Sequence, residues 1–143
     1  MSLFGSLSVS ASGMDAQRAR AEVLAENLAN SETTRTAEGG PYRRKDVVFA
    51  SSSVSSPFAN EFQSALEGQG VRVAGIAVDQ RDPEKRYLPG HPDADADGYV
   101  AYPRINPAED MVDLMNASRG YQANVAAISA VKDMIQRSLD LLR

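Results

Sequence analysis

Cysteine and tryptophan are both absent from this 143-residue chain. Without cysteine there is no disulfide framework, thiolate metal site or cysteine nucleophile. The redox compartment stays open, since a cysteine-free chain is at ease in reducing and oxidising surroundings alike. Aromatics make up only 6% of residues, and much of the 43% hydrophobic content is alanine, which buries little area per residue. A thin core is the expectation. No run approaches the ~20 apolar residues needed to cross a bilayer, so direct membrane insertion is not expected. The segment before Arg18 holds no Lys or Arg, and Ser2 to Met14 is interrupted by serines and glycines. It has neither the charged region nor the apolar stretch of a secretory signal, so any export is expected to proceed without a cleaved signal peptide.

Clustered positive charge is also scarce. A formal net charge of −4 and a pI near 5.0 count against a nucleic-acid partner, because phosphate neutralisation needs grouped Lys and Arg. The one compact basic run, Arg43-Arg44-Lys45, reads as a solvated turn ahead of an anion site.

What the chain does have is an amphipathic pattern at each end. Met111, Leu114, Ser118, Tyr121, Val125, Ile128, Lys132, Ile135, Leu139 and Leu142 fall at alternating three- and four-residue steps, a heptad seam with only Ser118 and Lys132 polar. Toward the N-terminus Leu7, Met14, Ala21 and Leu28 repeat every seven residues, with Leu3 and Leu24 at complementary positions. The first helix is predicted from Leu3 to Ala29, with Gly5 and Gly13 each costing ~1 kcal/mol relative to Ala. Asn30 reads as a left-handed cap, followed by turn-favouring Ser31, Thr33 and Thr34.

The middle is polar and turn-rich. A loop from Ser31 to Tyr42 precedes a short strand candidate, Val47 to Phe49. Ser51 to Ser56 with Pro57 reads as too polar to pack, and Gly68 and Gly70 close that segment. Val71, Val73, Ile76 and Val78 supply β-branched side chains whose alternation slips at Ala74-Gly75, a strand with a bulge. Asp79 to Asp97 reads as an exposed loop able to fold back as a hairpin, and Tyr99 to Tyr102 as a last short strand.

The second helix has a well-marked start. Asn106 can cap it, Pro107 suits the first helical position, and Glu109 takes the third place of a capping box. Glu109, Asp110 and Asp113 lie at the positive end of the dipole, and Lys132, Arg137 and Arg143 toward the negative end.

The fold class expected is mainly α with a small β-containing middle. Residues 1–30 and 106–143 pair as one coiled-coil-like helical assembly domain, and residues 31–105 form a loop- and β-rich middle region. A helix from Pro107 to Arg143 would be about 55 Å long, against a diameter of roughly 37 Å for a globule of this size. Two alanine-rich helices are marginal alone, so the remaining apolar surface is expected to find copies or relatives of the chain.

Chemical sites are sparse. Asp93, Asp95, Asp97 and Gly98 imitate the first half of an EF-hand loop, but Arg104 stands where its bidentate glutamate belongs. His91, the single histidine, lacks metal-ligating partners and reads as a loop residue or assembly contact. No catalytic constellation, cofactor or metal site is expected. Tyr121 is either a hot spot between molecules or a packing residue in its own helix pair. Asn27, Asn30 and Asn124 read as turn or cap residues first and inter-subunit contacts second.

Asn27-Leu28-Ala29-Asn30 followed by Thr33 resembles the N-terminal signature of flagellar basal-body rod and hook proteins. The likeness continues through Gly40-Pro41-Tyr42-Arg43-Arg44-Lys45 and Val48-Phe49. His91-Pro92-Asp93-Ala94-Asp95, leading into Gly98-Tyr99-Val100 and Tyr102-Pro103, is similar to the segment that sets apart the proximal rod members. Asn106-Pro107, Glu109-Asp110-Met111-Val112-Asp113 and Ser118-Arg119-Gly120-Tyr121-Gln122-Ala123-Asn124-Val125 extend the pattern. Glu32, Arg104-Ile105 and Gly120 depart from it.

The resemblance implies a non-enzymatic subunit of the flagellar basal-body rod, polymerising through its terminal helices into a drive shaft that spans the periplasm. Its partners would be copies of itself and other rod subunits, with the type III export apparatus in transit. Leu7, Met14, Ala21, Leu24, Leu28, Met111, Leu114, Tyr121, Val125, Ile128, Ile135, Leu139 and Leu142 are the expected assembly interface. Asn27, Leu28, Ala29, Asn30, Thr33, Arg119, Tyr121 and Asn124 carry the family motif. The rival readings are another axial subunit of the flagellum and a calcium-responsive binding module.

Overall fold

A computed structural model of the chain describes residues 3–53 and 69–141. Helix α1 spans Leu3–Ala29 and helix α2 spans Pro107–Asp140, so they are about 40 Å and 51 Å long. Between them lie two antiparallel pairs: β1, Lys45–Ser53, with β2, Gln69–Val78, and β3, Glu84–Tyr87, with β4, Tyr99–Tyr102. This is the mainly α architecture with a small β middle that the sequence predicts.

Asn106 starts α2. Its extended backbone (φ −102°) turns the side chain inward to accept from the Ala108 N–H at 3.2 Å, and Pro107 occupies the first turn. The short carboxamide bonds two residues on, as in an Asx turn, so Glu109 is not engaged as the reciprocal capping box requires.

The end of α1 differs from expectation. Among the described residues no non-glycine residue has positive φ, so Asn30 is not a left-handed cap. Its Nδ2 instead donates to the Glu26 carbonyl at 2.9 Å, its Oδ1 accepts from Thr33 Oγ1 at 3.1 Å, and Ser31 Oγ donates to the Leu28 carbonyl at 2.9 Å. These side-chain donors join the Asn30 and Ser31 backbone N–H groups on the last carbonyls, so no reversal of backbone handedness is needed.

The helices pair antiparallel at glycines. A Cβ on Gly13 would lie 2.9 Å from Asn124 Oδ1, and one on Gly120 would lie 3.1 Å from Gln17 Cδ. Four residues forward on α1 thus correspond to four back on α2. Each glycine lets a polar side chain of the other helix approach its backbone.

The ribbon is longer than its apolar residues suggest. Ser51, Ser52 and Ser53 pair with Val71, Gly70 and Gln69, because ladder hydrogen bonds are made by the backbone whatever the side chain. Ser55, Ser56, Pro57 and Gly68 lie outside the described residues. The expected bulge is present: Val48 pairs with Gly75 and Phe49 with Val73, leaving Ala74 without a partner. Absorbing that residue keeps Val71, Val73, Ile76 and Val78 on one face with Val47 and Phe49, where a regular strand would turn half of them over.

Among the described residues the buried apolar ones are few: Ala16, Val23, Leu24, Tyr42, Val100, Ala117 and Val131. The core is thin, as the composition predicts. No described helix is long and apolar enough to cross a membrane.

Candidate assembly interface

Three rows of side chains run along α2. Asp110, Ala117, Asn124 and Val131 repeat every seven residues and turn inward, with Asp110, Ala117 and Val131 buried and Asn124 against Gly13. Beside them Leu114, Ile128 and Ile135 are half-buried. The next row, Met111, Ser118, Val125, Lys132 and Leu139, is exposed, and its apolar members with Met115 and Tyr121 form a stripe of residues 42% to 55% exposed, interrupted by Ser118 and Lys132. The sequence seam therefore straddles two surfaces, one used within the chain and one open. Leu142 lies outside the described residues. On α1, Leu24 is buried while Leu7, Met14, Ala21 and Leu28 are half-buried.

The inward row escapes a search for apolar periodicity because it contains an aspartate and an asparagine. Heptad spacing was the available signal, but not hydrophobicity. Asn124 is neither turn nor cap: its Nδ2 donates to the Gly120 carbonyl at 2.9 Å inside the helix.

The family-motif residues do not come together: Asn27 to Thr33 lie at the end of α1 and the turn after it, whereas Arg119, Tyr121 and Asn124 lie along α2 level with Gln17 and Gly13. Asn27, fully buried, donates from Nδ2 to the Lys45 carbonyl at 2.8 Å, and its Oδ1 accepts from the Lys45 N–H and the Tyr42 hydroxyl, both at 3.0 Å. It is a clamp on the start of β1 rather than a turn residue. Burial, aided by the nearby Glu26 carboxylate, pushes the Tyr42 hydroxyl up to about 12, which keeps it a donor.

The basic run is not a solvated turn. Arg43 donates to the Asp79 carbonyl at 3.1 Å, Arg44 donates to Asp110 Oδ1 at 3.0 Å, and Lys45 pairs with Glu26 and sits over the Tyr42 ring. Asp110 is likewise more than a dipole residue. Burial raises its pKa, the Arg44 guanidinium opposes the rise, and Asp46, Glu109 and Asp113 add to it. Its Oδ2 is buried without a hydrogen-bond partner among the described residues. The Arg44–Asp110 contact crosses 66 positions of sequence, which no local pattern announces.

The acidic loop is diverted from cation binding. Asp93 Oδ2 accepts from Thr34 Oγ1 at 2.8 Å, and Arg35 approaches its Oδ1 at 3.7 Å. Asp95 Oδ1 accepts from the Asp97 and Tyr99 backbone N–H groups, and Gly98 turns the chain at φ +81°. Asp93 thus ties the β3–β4 hairpin to the loop after α1. His91 Nδ1 accepts from the Asp93 N–H at 3.1 Å, and its ring meets Tyr102 edge-on. No group of His, Cys, Asp or Glu among the described residues is arranged to hold a metal.

Comparison with known proteins matches both helical ends. The family described as "Flagella basal body rod protein" matches residues 7–35, which cover most of α1 and the turn after it. The family "Flagellar basal body rod FlgEFG protein C-terminal" matches residues 96–141, which cover β4 and α2. The chain is 43% identical over 148 residues to the flagellar basal-body rod protein FlgC of Bacillus subtilis, covering 99% of each. It is 41% identical over 151 residues to that of Borreliella burgdorferi, covering 100% of this chain and 99% of the relative. The chain belongs to the flagellar basal-body rod protein family. A third rod protein FlgC, from Escherichia coli O157:H7, is 39% identical over 141 residues, 99% of this chain and 98% of that one. Within the rod family the chain is thus most like the FlgC branch. The family models cover most of the helix pair together with the turn after α1 and β4, and only the first strand and most of the loop of the acidic hairpin lie between the two matches.

Proposed function

We propose that the chain is a structural, non-enzymatic subunit of the proximal part of the flagellar rod, polymerising through its terminal helices. The observation that carries this reading is the open stripe of α2, Met111, Met115, Tyr121, Val125 and Leu139, beside the row the chain uses for its own pairing. A helix that spends one face internally and leaves an adjacent apolar face in water gains burial by meeting another helix. Contacts of this head-to-tail kind need not close, and they generate a helical tube. Its partners are copies of itself and other rod subunits, with no role for nucleic acid or for insertion in a membrane.

Residues 1–30 and 106–143 act as the helical assembly unit, and residues 31–105 make lateral contacts. The small core suits a chain exported unfolded through the type III apparatus, without a cleaved signal, and ordered on arrival in the periplasm-spanning rod.

The test places a charge on the open stripe without touching the core. Val125→Asp retains the stability of the isolated chain but abolishes incorporation into rods and motility. Normal motility with the variant present in rods would refute the reading. Ile128 is a poorer target because it is half-buried in the chain's own pair.

A further inference from the structure

The open stripe carries two thioethers one helical turn apart, Met111 and Met115, exposed by 51% and 53%. Sulfur occurs in this chain only in methionine, and tryptophan is absent too, so no thiol or indole competes for a two-electron oxidant. The other described methionines differ in place. Met14 is half-buried on α1. Met134 is as exposed as the stripe pair, but the 3.6-residue turn puts it on the far side of α2.

We propose that Met111 and Met115 are a modification site for peroxide-class oxidants in the unassembled subunit, and that their conversion to sulfoxides blocks assembly. With hydrogen peroxide the thioether sulfur attacks one oxygen, the O–O bond breaks, the sulfur keeps that oxygen and is oxidised by two electrons, and the proton of the attacked oxygen passes to the other, which leaves as water. A flexible apolar side chain becomes a polar, hydrogen-bond-accepting one. Two sulfoxides at the N-terminal end of the stripe that continues through Tyr121, Val125 and Leu139 must then be stripped of water before a second copy can seat there. Once seated, that copy covers both sulfurs, so the site is open only before assembly. Reduction by methionine sulfoxide reductases, one for each sulfoxide epimer, reverses it.

The inference rests on the stripe being the contact between copies, and the experiment separates the two. The full chain is treated with hydrogen peroxide, site occupancy is read by peptide mass spectrometry, and self-association by sedimentation. Met111, Met115 and Met134 gain one oxygen several-fold faster than Met14, and self-association falls several-fold. The Met111→Leu/Met115→Leu double variant associates normally and keeps doing so after peroxide, whereas Met134→Leu gives no protection. Reductase treatment restores the wild type. Unchanged association after full oxidation of Met111 and Met115 overturns the inference, as does equal loss in the double leucine variant. Untreated Val125→Asp tests the underlying contact alone: if it associates like the wild type, the stripe reading fails whatever peroxide does. If it fails to associate while oxidised wild type succeeds, only the oxidation inference falls.

Discussion

The Asn27 carboxamide grips the Lys45 backbone at both ends, donating to its carbonyl at 2.8 Å and accepting from its N–H at 3.0 Å. One side chain thereby supplies what a neighbouring strand would give the first residue of β1, and fixes the ribbon to α1. Asn27→Ala strands the Lys45 N–H and carbonyl and the Tyr42 hydroxyl in a buried site. The expected loss is about 3 kcal/mol, measured by urea unfolding of the isolated chain. A loss within error of zero would mean the clamp is dispensable.

Asp110 and Asp79 respond to pH in opposite senses. Burial raises the pKa of Asp110, so the folded chain holds that proton more tightly than the unfolded chain does. Its contribution is favourable below the ordinary carboxylate pKa and is lost as pH rises through the raised folded value. Hydrogen bonds from Arg81 lower Asp79 to about 2. That contribution is present above the ordinary pKa, is lost as pH falls toward 2, and is screened because Arg81 is largely exposed. Urea midpoints between about pH 4 and 7 check the Asp110 part: the wild type gains on Asp110→Asn as pH falls. Parallel profiles would show that the carboxylate is not held above its usual range.

The two interhelical glycines part company on substitution. Alanine improves helix propensity by about 1 kcal/mol at either site. At Gly13 the new Cβ meets an Asn124 side chain already bonded to the Gly120 carbonyl, so Gly13→Ala is destabilising by about 1 kcal/mol net. At Gly120 it meets the end of Gln17, whose flexible side chain rotates aside, and Gly120→Ala is neutral or stabilising. Thermal melts of the two variants decide it, and the same sign for both would contradict the packing described.

Calcium and the acidic loop give a fourth test. Asp93→Ala removes the acceptor of the Thr34 hydroxyl and costs about 1 kcal/mol. Millimolar calcium shifts the melt of neither wild type nor variant. A calcium-dependent rise in the wild type alone would revive the binding-module reading.

The elements set by neighbouring residues were legible: α2 from Asn106 and Pro107, the bulge from the slipped alternation at Ala74, and β4 from Tyr99 to Tyr102. Those set by distant contacts were not. Asp110 and Arg44 each suit a solvated position until the fold brings them together, and Asn27 resembles a cap until Lys45 lies beside it. The open stripe could be read only in part, because the heptad turned inward carries Asp110 and Asn124 where apolar residues are looked for. Asn30 shows the converse error, in which a residue able to adopt a left-handed turn has a local hydrogen bond that makes the turn unnecessary.

The register set by Gly13 and Asn124 puts Leu3 opposite Met134, so α2 continues to Asp140 past the first described residue of α1, by roughly 9 Å. A cylinder laid from such pieces would have no planar break between tiers. Each joint would be splinted by helix ends reaching into the next course, and flexing the column would mean deforming helices rather than opening a gap.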